Sequence, residues 1–202
     1  MTVSNASGLV EEWEWFETWL RDNAPVTYGI LRPPADVETI RQIADGRFAV
    51  HPEFEQWLLL HDGFSRLDAG GAPEAFLPQY YAPYSAQRAA LAYSYMLRNV
   101  ESSIEDGSAS YALGQTLHDE WVPFARTVSG DELVVDHRKG DSYGAVLQYS
   151  DGDGIYQMAW PSLGSMVASM NAALRGEGDA GGYIPRLHSD SLSLEWYHPR
   201  FP

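Results

Sequence analysis

The spacing of apolar residues changes character at Trp121, and that change restricts the fold more than any other feature of the chain. Ahead of it the spacing is helical. Leu9, Trp13, Phe16 and Leu20 fall on one helical face, and Ala24-Pro25 ends that run. Pro33-Pro34 introduces a second helix with Val37, Ile40 and Ile43 or Ala44 inward, stopped near Gly46. A third begins near Pro52, with Phe54, Trp57 and Leu58 inward. The run Trp57-Leu-Leu-Leu60 predicts burial nearly all round. His61-Asp-Gly63 closes it, Gly63 being suited to a left-handed cap. Ser85 is a natural N-cap for a fourth helix reaching about Val100, with Ala89, Ala92, Tyr93, Met96, Leu97 and Val100 on its apolar face.

After Trp121 the pattern is that of strands: Trp121–Thr127, Glu132–Asp136, Ala145–Tyr149 and Ile155–Met158. Asp151-Gly-Asp-Gly154 separates the last two and reads as a hairpin turn. Ser162 then caps a fifth helix through Leu163, Met166, Val167, Met170 and Leu174, ended by Gly176. Two further extended pieces follow, Tyr183–Leu187 and Leu192–Trp196. Helices gathered at the front and strands in the middle predict an α+β fold. Short connections between the central strands favour antiparallel pairing. The expected sheet is mixed or mostly antiparallel, with helices packed against it.

The 202 residues suit one domain spanning 1–202, with 1–8 frayed and a Gly-, Ala- and Pro-rich loop over 65–83. Cysteine is absent, which excludes disulfides and thiolate metal sites. No signal peptide is evident, and no window approaches the roughly 18 apolar residues of a membrane span. A soluble cytoplasmic protein is expected.

Charge narrows the partners. Twenty-eight acidic residues face twelve arginines and one lysine, for a net of −15. Such a chain repels nucleic-acid phosphates and anionic membranes, and it attracts basic proteins. The acids are spread along the chain, so solubility alone accounts for them equally well.

Catalytic motifs are missing. The six histidines are scattered, with no His-Glu-x-x-His run. Asp151-Gly-Asp-Gly154 lacks the Glu twelve positions on that a calcium loop needs, since residue 162 is Ser. No nucleophile elbow, phosphate loop or basic aromatic groove is present. Asp131, Glu132, Asp136 and Asp141 are the only acids clustered enough to suggest paired-carboxylate hydrolysis, and no base or cofactor motif supports them. No catalytic residue, metal or cofactor is expected. Trp15 and Trp19 lie off the main stripe of the first helix, which implies either a wide stripe or an exposed anchor.

Three segments taken in order carry a family resemblance: Trp121-Val-Pro-Phe-Ala125, Gly130-Asp-Glu-Leu-Val-Val-Asp136 and Tyr143-Gly-Ala-Val146. Ahead of them come Trp57-Leu-Leu-Leu-His-Asp-Gly63 and Phe76-Leu-Pro78, and behind them a helix opening at Ser162-Leu163. Over residues 10–175 this order resembles the SMI1/KNR4 family of the SUKH superfamily. Residues 177–202 extend beyond the family's pattern. The resemblance implies an α+β fold and a protein-binding role without chemistry. Bacterial members resemble immunity proteins that bind and block a cognate toxin, often a nuclease. Fungal members regulate cell-wall assembly and signalling. The expected contact surface comprises Asp131, Glu132, Asp136 and Asp141 of the strand-turn region, Asp62 and Asp68 of the loop after the third helix, and Trp121 and Tyr143 as apolar anchors. For Asp131 and Asp136, turn formation and strand termination are the competing roles.

Overall fold

The computed structural model describes residues 6–65, 76–107, 117–150, 156–189 and 192–200. Among the described residues six α-helices form: α1 (Ala6–Asn23), α2 (Pro25–Tyr28), α3 (Val37–Arg41), α4 (Pro52–Leu60), α5 (Ala86–Glu105) and α6 (Leu163–Leu174). Strands β1 (Ala82–Pro83), β2 (Trp121–Arg126), β3 (Glu132–Asp136), β4 (Val146–Tyr149) and β5 (Tyr156–Trp160) form one sheet in the order of the sequence. β6 (Ile184–His188) and β7 (Ser193–Tyr197) make a separate hairpin. Every pairing is antiparallel, so the sheet is a meander rather than a mixed one.

α1 buries Leu9, Trp13, Phe16 and Leu20, the face set by the spacing. It starts at Ala6, three residues before the apolar run, so residues 6–8 are helical rather than frayed. Its stripe is wide: Trp19 packs against the core, and Trp15 lies beneath the Arg175 guanidinium at 4.1 Å. In α3 and the turn after it, Ile40, Ile43 and Ala44 are buried, and Val37 is 39% exposed rather than inward. The helix has only five residues, and Val37 is the first of them, directly after the Asp36 cap, where the chain has not yet turned in against the core. α4 buries Phe54, Trp57 and Leu58, while Leu59 and Leu60 are only half-buried. α5 runs past Val100 to Glu105, since nothing breaks it before Gly107 at φ +65°. Ser85 and Ser162 cap α5 and α6 as predicted; Ser162 and Ser165 close a reciprocal box.

Aromatic rings join the helices to the sheet. Trp13 meets Trp57 edge-on at 4.8 Å, and both Phe54 and Trp57 reach Phe124 at 6.1 Å. α5 packs against β2. β2 and β3 are buried along almost their whole length, on both faces, which is unusual for an antiparallel sheet. Pro123 fits inside β2 because the register slips between Pro123 and Ala125. The Phe124 carbonyl in that bulge accepts the Tyr84 amide at 2.7 Å.

The hairpin β6–β7 belongs to the same core. Trp196 is fully buried and donates its Nε1 to the Phe76 carbonyl at 2.9 Å; the Leu194 amide donates to Thr27 Oγ1 at 2.8 Å. It adds no edge strand to the main sheet. The turn expected at 151–154 lies outside the described residues, although β4 and β5 pair across it. No described helix is long and apolar enough to cross a membrane.

Gly63 sits at φ +68°, two residues beyond the α4 cap at His61. A Cβ there would lie 2.7 Å from the backbone of Tyr84 and Ser85. Both neighbours are main chain and cannot swing aside, so Gly63→Ala is expected to cost about 2 kcal/mol or more. Urea unfolding with an unchanged slope and a lower midpoint would show it.

Candidate functional site

The expected contact residues do not form one face. Trp121 is 0% exposed rather than a surface anchor. It stands opposite Asp136 in the sheet register, with the Tyr156 ring at 4.6 Å and the Arg138 guanidinium over its own ring at 5.2 Å. Asp136 is also 0% exposed and unavailable to a partner. Its carboxylate accepts from Arg138 Nε at 3.0 and 3.1 Å, Arg138 Nη2 at 2.7 Å and the Arg138 amide at 2.9 Å. This pairing holds the Arg138 pKa above its ordinary value.

Asp62 is likewise structural. Its carboxylate accepts the Ala86 amide at 2.6 Å and lies 3.6 Å from Arg32, tying the exit of α4 to the start of α5. Asp131 shapes the β2–β3 turn, accepting from Ser129 Oγ at 3.1 Å while its carbonyl accepts the Thr127 amide at 2.9 Å. Glu132 accepts the Tyr84 hydroxyl at 3.0 Å; burial first, and this carboxylate second, push the Tyr84 pKa up. Asp68 lies outside the described residues. Glu132 and Asp136 mark the two ends of β3, with Cα atoms ~13 Å apart at ~3.3 Å per residue.

Asp141 and Tyr143 are exposed, on the turn joining β3 to β4. Lys139 is exposed on the same turn, so its charge is mixed rather than acidic. The turn is held from beneath by two histidines that the sequence reading passed over. His51 caps α4: its Nδ1 accepts the Glu53 amide at 3.2 Å. The His51 amide donates to His137 Nε2 at 2.9 Å. His137 Nδ1 therefore carries the proton and donates it to the Val135 carbonyl at 2.9 Å. Both rings are buried and neutral. Burial draws the pKa of His51 down, and it draws that of His137 down to about 4. The Tyr143 ring stands edge-on to His51 at 4.5 Å. Gly144 at φ +86° passes so close that a Cβ would lie 2.4 Å from His51 Nε2.

The support continues into the helices. Buried Glu53 accepts the Gly164 amide at 3.1 Å at the start of α6, and Gly164 runs against the Leu9 backbone of α1. The turn and the first turns of α1, α4 and α6 thus share one end of the molecule. α1 presents exposed Glu11 and Glu14 along its outer side, with Asp22 further on. The outward positions of the helical repeat could have located this acidic stripe, and His51-Pro52 could have located the cap.

Other arrangements are already committed. His118, Asp119 and Glu120 bring ligand atoms within 4.8 Å of one another. Asp119, however, accepts from Arg47 at 3.2 Å, and His118 Nδ1 accepts the Glu120 amide at 3.1 Å. A cleft of about 40 Å³ opens between α5 and the sheet, lined by Tyr95, Asn99, Arg126 and Glu132, among others. Small-molecule pockets are typically ~300 Å³ or more. No protein-family model matches the chain, and no curated protein matches it.

The buried histidines predict an acid-sensitive fold. Unfolded histidine takes up its proton near pH ~6.5, whereas His137 in the folded chain does so only at about 4. The folded state binds fewer protons over that window, so stability is full above it and is lost as pH falls through it. The share of His137 is on the order of 3 kcal/mol. His137→Gln, which keeps an acceptor for the His51 amide, is expected to flatten the curve of unfolding free energy against pH by that amount. An unchanged curve would show that His137 titrates normally.

Proposed function

We propose that the chain is a protein-binding module that acts as an immunity protein, occluding a cognate protein toxin through one acidic end of the molecule. The observation that carries this reading is the placement of Tyr143. Its ring is 44% exposed yet seated on buried His51, with exposed Asp141 two residues earlier. A rigid, half-exposed tyrosine loses little freedom on binding and is the kind of residue that dominates interface energies. Exposed Glu11 and Glu14 add negative charge in the first half of α1, the helix whose first turn packs at that end. A net charge of −15 favours a basic partner and speeds its encounter. The resemblance to SMI1/KNR4 domains supplies the partner class. A nuclease toxin fits it, because a phosphate-binding site also attracts carboxylates.

The test is whether a gene beside this one encodes a basic, toxin-like protein that this chain captures and inhibits. Binding is expected to weaken steeply as salt rises. Tyr143→Ala is expected to weaken it about thirtyfold, the effect of removing a contact worth ~2 kcal/mol. The triple change E11Q/E14Q/D141N should mainly slow association and reduce the salt dependence. Capture of a cell-wall or signalling protein in place of a toxin would replace this reading with a regulatory one.

A further inference from the structure

The outer side of α5 has a further regularity. Arg88, Leu91, Tyr95, Arg98, Ser102 and Glu105 are spaced alternately three and four residues apart, which sets them in one line along the helix, a seam. All six are exposed, with Leu91 at 58% and Tyr95 at 59%, while Ala89, Tyr93, Met96 and Val100 carry the buried side. Among the described residues, neither Arg88 nor Arg98 is paired with a carboxylate. Arg88 lies over the Tyr84 ring at 5.7 Å, and Arg98 over the Tyr95 ring at the same distance.

The seam is also self-complementary. Turned end for end about a point midway between Tyr95 and Arg98, it sets Arg88 against Glu105, Leu91 against Ser102 and Tyr95 against Arg98. Those are an ion pair, an apolar residue over a small one, and a cation on an aromatic face, each occurring twice. A two-fold dimer interface requires this property, because residue i of one copy meets residue j of the other and the reverse. Charge distribution agrees. The seam holds two arginines and one glutamate in a chain of net −15, whereas the outer side of α1 carries Glu11, Glu14 and Asp22. Two copies repel each other through α1 and not through α5.

We propose that the chain pairs with a second copy of itself through antiparallel contact of α5. The helix is ~30 Å long, and a single helix pair is small for a permanent dimer, so the association is weak and concentration-dependent. It does not rest on the toxin reading.

Sedimentation equilibrium on the full chain tests it. The wild-type chain is expected to show a monomer–dimer equilibrium. R88E and E105R, each taken alone, are expected to weaken dimerisation about tenfold, since each turns two attractions into two repulsions. Mixing R88E with E105R restores both attractions, so the mixture should associate as well as wild type. Matching urea midpoints for the two variants establish that the fold is intact. A wild-type chain that stays monomeric up to its solubility limit overturns the proposal. A mixture that associates no better than either variant alone also overturns it.

Discussion

A carboxylate sealed from water, Asp136, organises the end of the sheet from which the rest of the site is built. An ionised carboxylate without partners would cost several kcal/mol there, so its position obliges the chain to bring a cation. Arg138 supplies it from two residues away, and its guanidinium then covers Trp121 on the neighbouring strand. With Asp136 and Arg138 fixed, the intervening His137 must turn inward, where it receives the His51 amide. His51 in turn caps α4, faces Tyr143 and lies against Gly144. One buried ion pair therefore sets the entry of a helix, the path of a tight turn and the posture of an exposed tyrosine. Losing the Arg138 charge leaves Asp136 buried alone, which is far more costly than the net worth of the intact pair.

The local elements were legible in the sequence because local rules govern them. The Leu9–Leu20 stripe, the serine caps at Ser85 and Ser162, and the strands around Glu132–Asp136 follow from periodicity and capping chemistry within a few residues. The misplaced residues depend on partners distant in sequence. Trp121 reads as a strand entry, and periodicity cannot tell a strand covered on one side from one covered on both. Asp62 looks like a free loop acid until the Ala86 amide, 24 residues on, arrives at its carboxylate. Composition has the same blind spot. It counts carboxylates without separating those consumed by amides, hydroxyls and arginines from those left to face water.

That distinction changes where negative charge acts. Asp62, Asp131, Glu132 and Asp136 are taken up in internal contacts, and Lys139 dilutes the turn that carries Asp141. The outward acids of α1 keep their reach into solvent. The same sorting applies to the cations. Arg21, Arg32, Arg41, Arg47, Arg138 and Arg186 all lie within ion-pair distance of carboxylates. Arg88 and Arg98 rest on rings instead, so the outer side of α5 carries mixed charge where that of α1 is acidic.

Trp196 closes the core across a separation of 120 residues, and the neighbouring Leu194 reaches back 167 residues to Thr27. Neither contact can form while the C-terminal hairpin is still unmade. Before that point Phe76 and its surroundings lack their lid, and apolar surface that ends up dry is open to solvent. Contacts this distant make folding slow relative to the local helices and lengthen the interval of vulnerability to aggregation. A nascent chain of this kind gathers its helices early yet stays incomplete until β7 is available.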